Sequence, residues 1–404
     1  MALKLEIAQE ALLKVVQVTA KEVISLEQCW QRVLAETITA DMDFPPFDRS
    51  PLDGYAVIAS DIAQATPEEP VILRQIDNVP AGSLAHETVI SGTACRIMTG
   101  APIPQGATGV VRLEDTLLEG DQVKVLMGYD AHKNICPRGE EIAVGEELIA
   151  AGTLLNAGAM GLLAVLGKDR PYVFRKPRVA IIATGTEIVP INTPLTPGKI
   201  RNSNSYMLSA QVQEAGALPV FLGTAKDDVD EIVQLISTVP ECDVVITTGG
   251  ASVGDYDFIG EVFQRLEIPI LFDRINIKPG MPVVAGVKNG KHYIGLSGNP
   301  SAASIAFEQL VRPVLIKMSG RTNWWRPTVR AVLTAPFKKS IGAKRFVWSR
   351  CWQDGEGLLV EPLRLQGNGM LQSAVNANSL MVIPENSPPL LAGTELEVIL
   401  LTNI

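Results

Sequence analysis

Apolar positions change their texture twice along this chain. The first stretch, MALKLEIAQEALLKVV, spaces its apolar residues at helical intervals with acids and lysines between them, which predicts an amphipathic helix. Ser25-Leu-Glu-Gln28 has the form of a capping box and predicts a helix ending near Ala35. The segment DMDFPPFDRSPLDGYAV then breaks any helix with prolines and aspartates and predicts a shaped loop running into a strand. From Asp53 to about Val144, short apolar runs (VILRQI, TACRIM, GVVRL, QVKVLM) alternate with Gly, Pro and Asn, the pattern of a small β-rich domain. NAGAMGLLAVLG predicts a helix over Gly158–Leu166, inside a return connection that pairs with the 25–45 segment.

At Arg178 the runs become continuous. VAIIAT (179–184), DVVITT (243–248) and HYIGLS (292–297) are apolar throughout, as strands buried on both faces require. Between them lie helical patterns at Ser205–Ala215, Asp228–Val239 and Phe258–Leu266, and GNPSAA opens another that runs to about Met318. Strands alternating with helices predict a parallel sheet with right-handed crossovers. Trp324-Trp325-Arg-Pro327 marks a linker, after which residues 328–404 return to short strands and turns, a small β domain or barrel.

This patterning places chemistry on one edge. ATGTE (183–187), TTGGASVGDYD (247–257) and LSGNPSAAS (296–304) each follow a buried strand and are read as leading into a helix. In a parallel sheet such loops share the carboxyl edge, where ligands bind. Glycine lets the backbone come close to a ligand, and free N–H groups at helix starts favour phosphate or another oxyanion. Glu187, Asp227, Asp228, Asp255 and Asp257 sit in or beside these loops. Acids next to a phosphate cradle imply an intervening divalent cation, and Mg²⁺ binds through one or two carboxylates plus substrate phosphates. Helix N-capping is the alternative for Asp227 or Asp228, and a simple turn is the alternative for Asp53-Gly54.

Composition narrows the classes. The 404 residues exceed one ordinary core and imply two to four domains. With 47% hydrophobic and 20% charged residues, the chain suits a soluble globular protein, and a net charge of −9 argues against a nucleic-acid backbone as main partner. No apolar run reaches membrane-spanning length and no signal-peptide core is evident, so a cytoplasmic protein is expected. Cys29, Cys95, Cys136, Cys242 and Cys351 are widely spaced, and with only His86, His132 and His292 beside them a zinc or disulfide framework is not expected.

Taken in order, PPFDRSPLDGYAV, RIMTGAPIPQGATGVV, NICPRGEEI, IATGTEI, ITTGGASVGDYD, NIKPGMPVVAG, GLSGNPSAAS and QGNGMLQSA resemble the molybdopterin molybdenumtransferase family over nearly the whole chain. TGGASVGDYD and PPFDRSPLDGYA are the specific motifs. The resemblance implies an enzyme that inserts molybdate into adenylated molybdopterin and releases AMP with Mg²⁺, working as a homodimer in which the DGYA segment of the other subunit closes the cleft. It implies Asp53, Glu187, Asp227 and Asp257 as functional acids, the last three also as metal ligands. The substrate-contacting set is Thr99, Thr184, Gly185, Asn204, Thr248, Gly249, Gly250, Ser252, Gly254, Gly298, Asn299 and Ser301, and the molybdate set is Lys278, Pro282, Arg345, Arg350 and Ser373. A partner that adenylylates molybdopterin would deliver the substrate. The expected fold is multidomain α/β plus β: an N-terminal helix over 1–24 packing on the α/β domain, a linking domain from 25–45 and 145–170, a β-rich domain over 46–144, a parallel α/β domain over 171–322 and a small β-barrel over 323–404.

The chain departs from the family pattern at several places. Met281 stands where a second lysine is usual, Ser297 replaces a proline, and Ala302 replaces a serine, with Ser301 one place earlier. Glu141 replaces an aspartate, and Cys136-Pro137 replace basic residues. Lys278, Lys344, Arg345 or Arg350 are the candidate replacements for the lost cation. The competing readings are a paralogue with weak molybdate affinity, a molybdopterin adenylyltransferase, and a gephyrin-like scaffold.

Overall fold

The computed structural model describes residues 2–128, 130–250, 258–338, 342–355 and 357–402. They form two compact units, one of Met1–Glu36, Ala151–Gly161 and Asp169–Ile404, the other of Thr37–Ala150 and Leu162–Lys168.

The larger unit is organised by a six-stranded sheet in the order Leu218–Ala225, Arg178–Thr184, Val244–Thr248, Lys291–Leu296, Pro282–Lys288 and Ile270–Arg274. The first four strands run parallel. Pro282–Lys288 runs antiparallel to both of its neighbours, so the edge strand Ile270–Arg274 returns to the direction of the first four and the sheet is mixed beyond the parallel core expected from the sequence. Their pattern is harder to read because Ile270–Arg274 lies at the sheet edge and leaves Ile270 and Leu271 exposed. The continuous apolar runs have a simple cause. Val179, Ile181, Val244, Ile246, Ile294 and Leu296 enter one core with Leu5, Ala8 and Leu12 of the N-terminal helix Leu5–Lys14. Their neighbours Ala180, Ile182 and Val245 enter a second core with Ile232, Ile259 and Val262 from the helices Val229–Ser237 and Phe258–Arg265. Each fully buried Ile, Leu or Val contributes about 1.5–3 kcal/mol.

Two local expectations are corrected. Ser25–Gln28 does not start a helix: Leu26–Gln28 is a single 3₁₀ turn and Ser25 makes no side-chain cap. The chain then extends, with Leu34 N–H donating to Thr153 O and Phe174 N–H to Val33 O, both at 2.9 Å, so strand pairing overrides the local helical signal. Likewise ATGTE leads first into two short paired strands, Ile188–Val189 and Ile200–Arg201, before a helix begins at Asn204. The predicted helix near 158–166 is present at Ala157–Val165.

After GNP the helical run passes from Pro300–Ala306 through a π-turn at Phe307–Val311 into Arg312–Met318. Pro313 lacks an N–H for the carbonyl of Gln309, four residues back. That carbonyl accepts from Gln9 Nε2 at 2.9 Å instead, so the N-terminal helix completes the bond the proline omits.

The C-terminal strands close on themselves: Lys344–Asp354, Gly357–Pro362, Thr328–Leu333, Glu395–Leu400 and Ser379–Ile383, the last pairing back to the first. This five-stranded barrel leaves no open edge between its members. Its first strand also pairs with Ile277–Lys278, and Phe346, Trp348, Leu380 and Val382 pack into the core that the N-terminal helix enters.

The smaller unit holds a six-stranded sheet in the order Gly109–Arg112, Gly54–Val57, Thr93–Ile97, Val71–Val79, Gln122–Val125 and Thr116–Glu119. Ile38–Thr39 pairs with Glu147–Ile149 beside it. Gly54 is required by crowding, because a Cβ there would stand 1.9 Å from Val111 O. It sets the spacing at which the strand after Asp53 enters the sheet.

Candidate functional site

Strand register gathers the loops. Ala183 pairs with Thr248, and Thr248 pairs with Leu296, so the three strands end in one row and their loops emerge side by side. Asn204, at the start of the helix Asn204–Glu214, ties the loops together. Its side-chain amide donates to Thr248 Oγ1 at 2.7 Å and Gly298 O at 2.9 Å, and Thr248 Oγ1 in turn donates to Ser297 O at 3.2 Å. The Gly298 carbonyl can only accept, which fixes the orientation of the amide. Asn204 Oδ1 is left buried with no hydrogen-bond partner among the described residues.

Glycine is obligatory at the centre of this junction. Gly249 has φ +103°, and a Cβ there would fall 2.2 Å from Thr184 O. Gly298 lies against it, its own Cβ position 3.4 Å from Gly249 Cα. The floor is therefore bare backbone over the buried Thr184 and Thr248.

The acids flank this floor. Asp227 Oδ2 accepts from both the backbone N–H and the hydroxyl of Thr186, each at 2.9 Å, which draws it to the ATGTE loop. Thr186 O accepts from Lys199 Nζ at 2.7 Å. Glu187 folds back over Gly185, its Oε2 2.8 Å from where a Gly185 Cβ would be. Asp228 does a different job: it caps the helix Val229–Ser237, accepting from Glu231 N at 2.9 Å. Ser252, Gly254, Asp255 and Asp257 lie outside the described residues. Among the described residues no three of His, Cys, Asp and Glu cluster as a metal site. Glu187 and Asp227 are thus two carboxylates at one loop edge, with the third expected ligand beyond view.

In the smaller unit Asp53 Oδ1 accepts from Thr99 N and Thr99 Oγ1, both at 2.8 Å. Those bonds, the backbone one first, hold the Asp53 carboxyl below the usual aspartate range.

Of the remaining predicted residues, Lys278 and Arg345 are register partners on neighbouring strands. Ser301 is turned away from the loops: its hydroxyl accepts from Trp348 Nε1 at 2.7 Å and its N–H donates to Asn368 O at 3.0 Å. Asn299 is exposed at the helix start. Arg345 is buried with its guanidinium 5.8 Å from the Phe337 ring, and burial lowers its pKa. Lys278 and Arg350 are exposed, Arg350 opposite Glu361 in the barrel, and Pro282 opens a strand. Lys344 pairs with Glu6 at 2.9 Å, and Met281 is 37% exposed. Ser373 lines a cavity beside Arg364, which those other residues do not. Thr186 and Lys199, which the structure ties to the ATGTE loop, are not singled out by the sequence; for Thr186 its place in ATGTE is the available signal.

None of the five cysteines is an activated thiol. All are free and buried. Burial pushes Cys29, Cys242 and Cys351 up and Cys95 to about 12, and the hydrogen bond to Glu140 raises Cys136.

Glycine loops and acids on one strand-end edge of an α/β domain define an anion-binding site of the kind that doubly wound proteins place there. Residues 3–167 match the family described as MoeA N-terminal region (domain I and II), 180–317 the probable molybdopterin binding domain, and 330–401 the MoeA C-terminal region (domain IV). The chain is 38% identical to the molybdopterin molybdenumtransferase of Bacillus subtilis over 94% of its length and 90% of that protein. It is 35% identical to that of Staphylococcus aureus over 93% of its length and 90% of that protein. Among solved structures, the molybdopterin biosynthesis moeA protein from Pyrococcus horikoshii OT3 superposes with a TM-score of 0.85 at 32% identity, covering 99% of this chain and 100% of that one. The chain belongs to the molybdopterin molybdenumtransferase family, transferases of molybdenum cofactor biosynthesis. No helix among the described residues is long and apolar enough to cross a membrane.

Proposed function

We propose that this protein inserts molybdate into adenylated molybdopterin and releases AMP, with Mg²⁺ and as a homodimer in the cytoplasm. The observation that carries the reading is the junction at Asn204. A buried amide acceptor with no donor among the described residues sits where three strand-end loops meet over bare glycine backbone. Such an acceptor is costly unless a ligand N–H completes it. A nucleotide or pterin edge brings that donor, and its anionic part would lie toward Glu187 and Asp227.

Glu187 and Asp227, together with Asp257, would hold Mg²⁺, which supplies neutralisation of the phosphoanhydride charge. Asp227 fits this use: Thr186 occupies Oδ2 and orients the carboxylate. Asp53, kept ionised by Thr99, is the fourth acid of the proposed set. The chain's own residues bind and orient the substrate, and the raised thiols leave no side-chain nucleophile among the cysteines. Free, buried cysteines suit a reducing compartment.

The test is incubation with adenylated molybdopterin and Mg²⁺, with and without molybdate, reading AMP. Molybdate-dependent AMP release is expected, and its loss in Asp227→Asn. ATP-dependent adenylylation of molybdopterin in its place, or no AMP at any molybdate concentration, would overturn the proposal.

A further inference from the structure

Two helices of the larger unit end on one cavity, and the cavity holds more positive charge than their ends need. The helices Asn204–Glu214 and Arg312–Met318 stop before Gly216 and Gly320, whose φ values of +80° and +85° are the left-handed turn that glycine supplies after a helix. The cavity measures about 180 Å³ and takes Glu214 from the first helix end and Arg321 from beyond the second. Arg32 and Lys176 complete its charged lining. The volume is below the roughly 300–1,000 Å³ of sites that take drug-sized ligands, so it suits a small ion with its waters. Asn204 opens the first helix at the loop junction, and Glu214 lies about 15 Å further along it at 1.5 Å per residue, so this cavity is separate from the loop site.

Two of the four lining charges are already paired. Arg32 bridges to Glu22 and donates to Phe174 O at 2.8 Å, and Glu214 lies 3.7 Å from Arg326. Lys176 and Arg321 pair with no carboxylate among the described residues. Arg175, next to Lys176 in the chain, shows the contrast: it holds Asp243 through both terminal nitrogens at 2.7 and 3.0 Å. Arg321 is half-buried, and burial lowers its pKa. It also has a second buried cation near it, because Arg312 is lowered to about 10 by burial first and then by Arg326 and Arg321, with Glu308 offsetting part. Each helix C-terminus carries about half a negative charge, so the two ends together offset about one of the two unpaired cations. About one positive charge remains without a partner. Gln31 and Gln213, both exposed, add amide donors to the same cavity.

We infer that Arg321 and Lys176 hold a phosphate-class dianion that ties the two helix ends to the chain around Arg32 and Lys176, as a structural ion away from the reacting groups. The guanidinium fork grips two oxygens of such an ion in parallel, and the ammonium adds a point charge. An ion bound only by the folded chain raises the unfolding temperature as its concentration rises. The experiment is thermal unfolding and calorimetric titration of the full chain with inorganic phosphate and with sulfate, against chloride at matched ionic strength. Wild type, Arg321→Gln, Arg321→Lys and Lys176→Gln are compared. Phosphate and sulfate are expected to raise the wild-type unfolding temperature where chloride does not. Arg321→Gln should weaken phosphate binding roughly tenfold or more, with Arg321→Lys between it and the wild type. Glycerol 2-phosphate in the same titration separates the two sources of this chemistry: binding of the inorganic ion alone assigns a free ion, and binding of both assigns the phosphate end of an ester. An equal rise with chloride overturns the inference, as does a phosphate response that persists in folded Arg321→Gln, which would place the ion at the loops. An unfolding temperature that Arg321→Gln lowers equally with and without phosphate leaves the cations as helix-end partners only, and also overturns it. So does a wild type indifferent to phosphate whose assembly Arg321→Gln breaks on dilution, since the cations would then serve a second copy of the chain.

Discussion

Asp227 and Thr186 are locked together by two 2.9 Å hydrogen bonds into one carboxylate oxygen, from the backbone N–H and the hydroxyl of Thr186. The pairing leaves the second oxygen without a hydrogen bond among the described residues and sets its direction. Thr186→Val removes one of the two bonds. A hydrogen bond to a charged group is worth about 1.5–3 kcal/mol, so kcat/KM for AMP release should fall about 10- to 150-fold at limiting Mg²⁺. Raising Mg²⁺ should recover part of the loss in Thr186→Val and none in Asp227→Asn; equal recovery in the two variants would mean that Thr186 does not act through Asp227.

Gly249→Ala should abolish ligand binding. The residue adopts φ +103° and its Cβ would meet Thr184 O at 2.2 Å, so the loop must move off its floor. Fluorescence titration with molybdopterin is the direct check. A variant that melts like wild type yet binds normally would show that the loop geometry is dispensable.

Gln9→Leu should destabilise the larger unit by about 1 kcal/mol, at the low end for an orphaned buried carbonyl. The low end applies because Gln9 and Gln309 border a cavity of about 320 Å³ that can admit water to the carbonyl. Denaturant unfolding measures it. Replacing Pro313 by alanine in the same background should restore stability, since the new N–H can serve Gln309 O.

Acid should weaken the fold through His292. The side chain is fully buried, and desolvation pushes its pKa below 6.5, with the nearby backbone of Leu12 and Gly290 offsetting this in part. In the unfolded chain the imidazole takes up a proton as pH falls through about 6.5, while the folded chain resists it. Stability is thus retained above about pH 6.5 and declines as pH drops below it. Unfolding free energies at pH 7.5 and 5.5 should differ less in His292→Leu than in wild type; an equal difference would assign the acid sensitivity elsewhere.

The sequence exposes what backbone burial dictates and hides what side chains do at a distance. The runs at 179–184 and 243–248 were readable because alternate residues feed two cores, leaving no polar face. The same logic fails at Ile270–Arg274, whose edge position gives no periodic signal. Ser25–Gln28 shows local propensity losing to strand pairing. At the site, Glu187, Asp227 and the glycines stand out because three strand-end loops carry them together, although N-capping is an equally local role for Asp227. Asn204 enters the sequence analysis only through the family resemblance, and that its oxygen has no partner among the described residues becomes visible only once Thr248 and Gly298 are seen to occupy its nitrogen.

Trp348 and Asn368 have a consequence for how this protein can be taken apart. Both belong to the C-terminal region, yet they complete bonds at the first turn of the helix after GNP, Trp348 to the Ser301 hydroxyl and Asn368 to the Ser301 and Ala302 amides. Trp348 also shares a core with Val179 and Ile246 of the central sheet. A break in the chain near the Trp324-Trp325 linker would strand those amides and open an apolar face, so the boundary visible in the sequence is not a cleavage point in the thermodynamic sense. Domain exchange with a relative should therefore carry residues 300–318 and the barrel as one cassette.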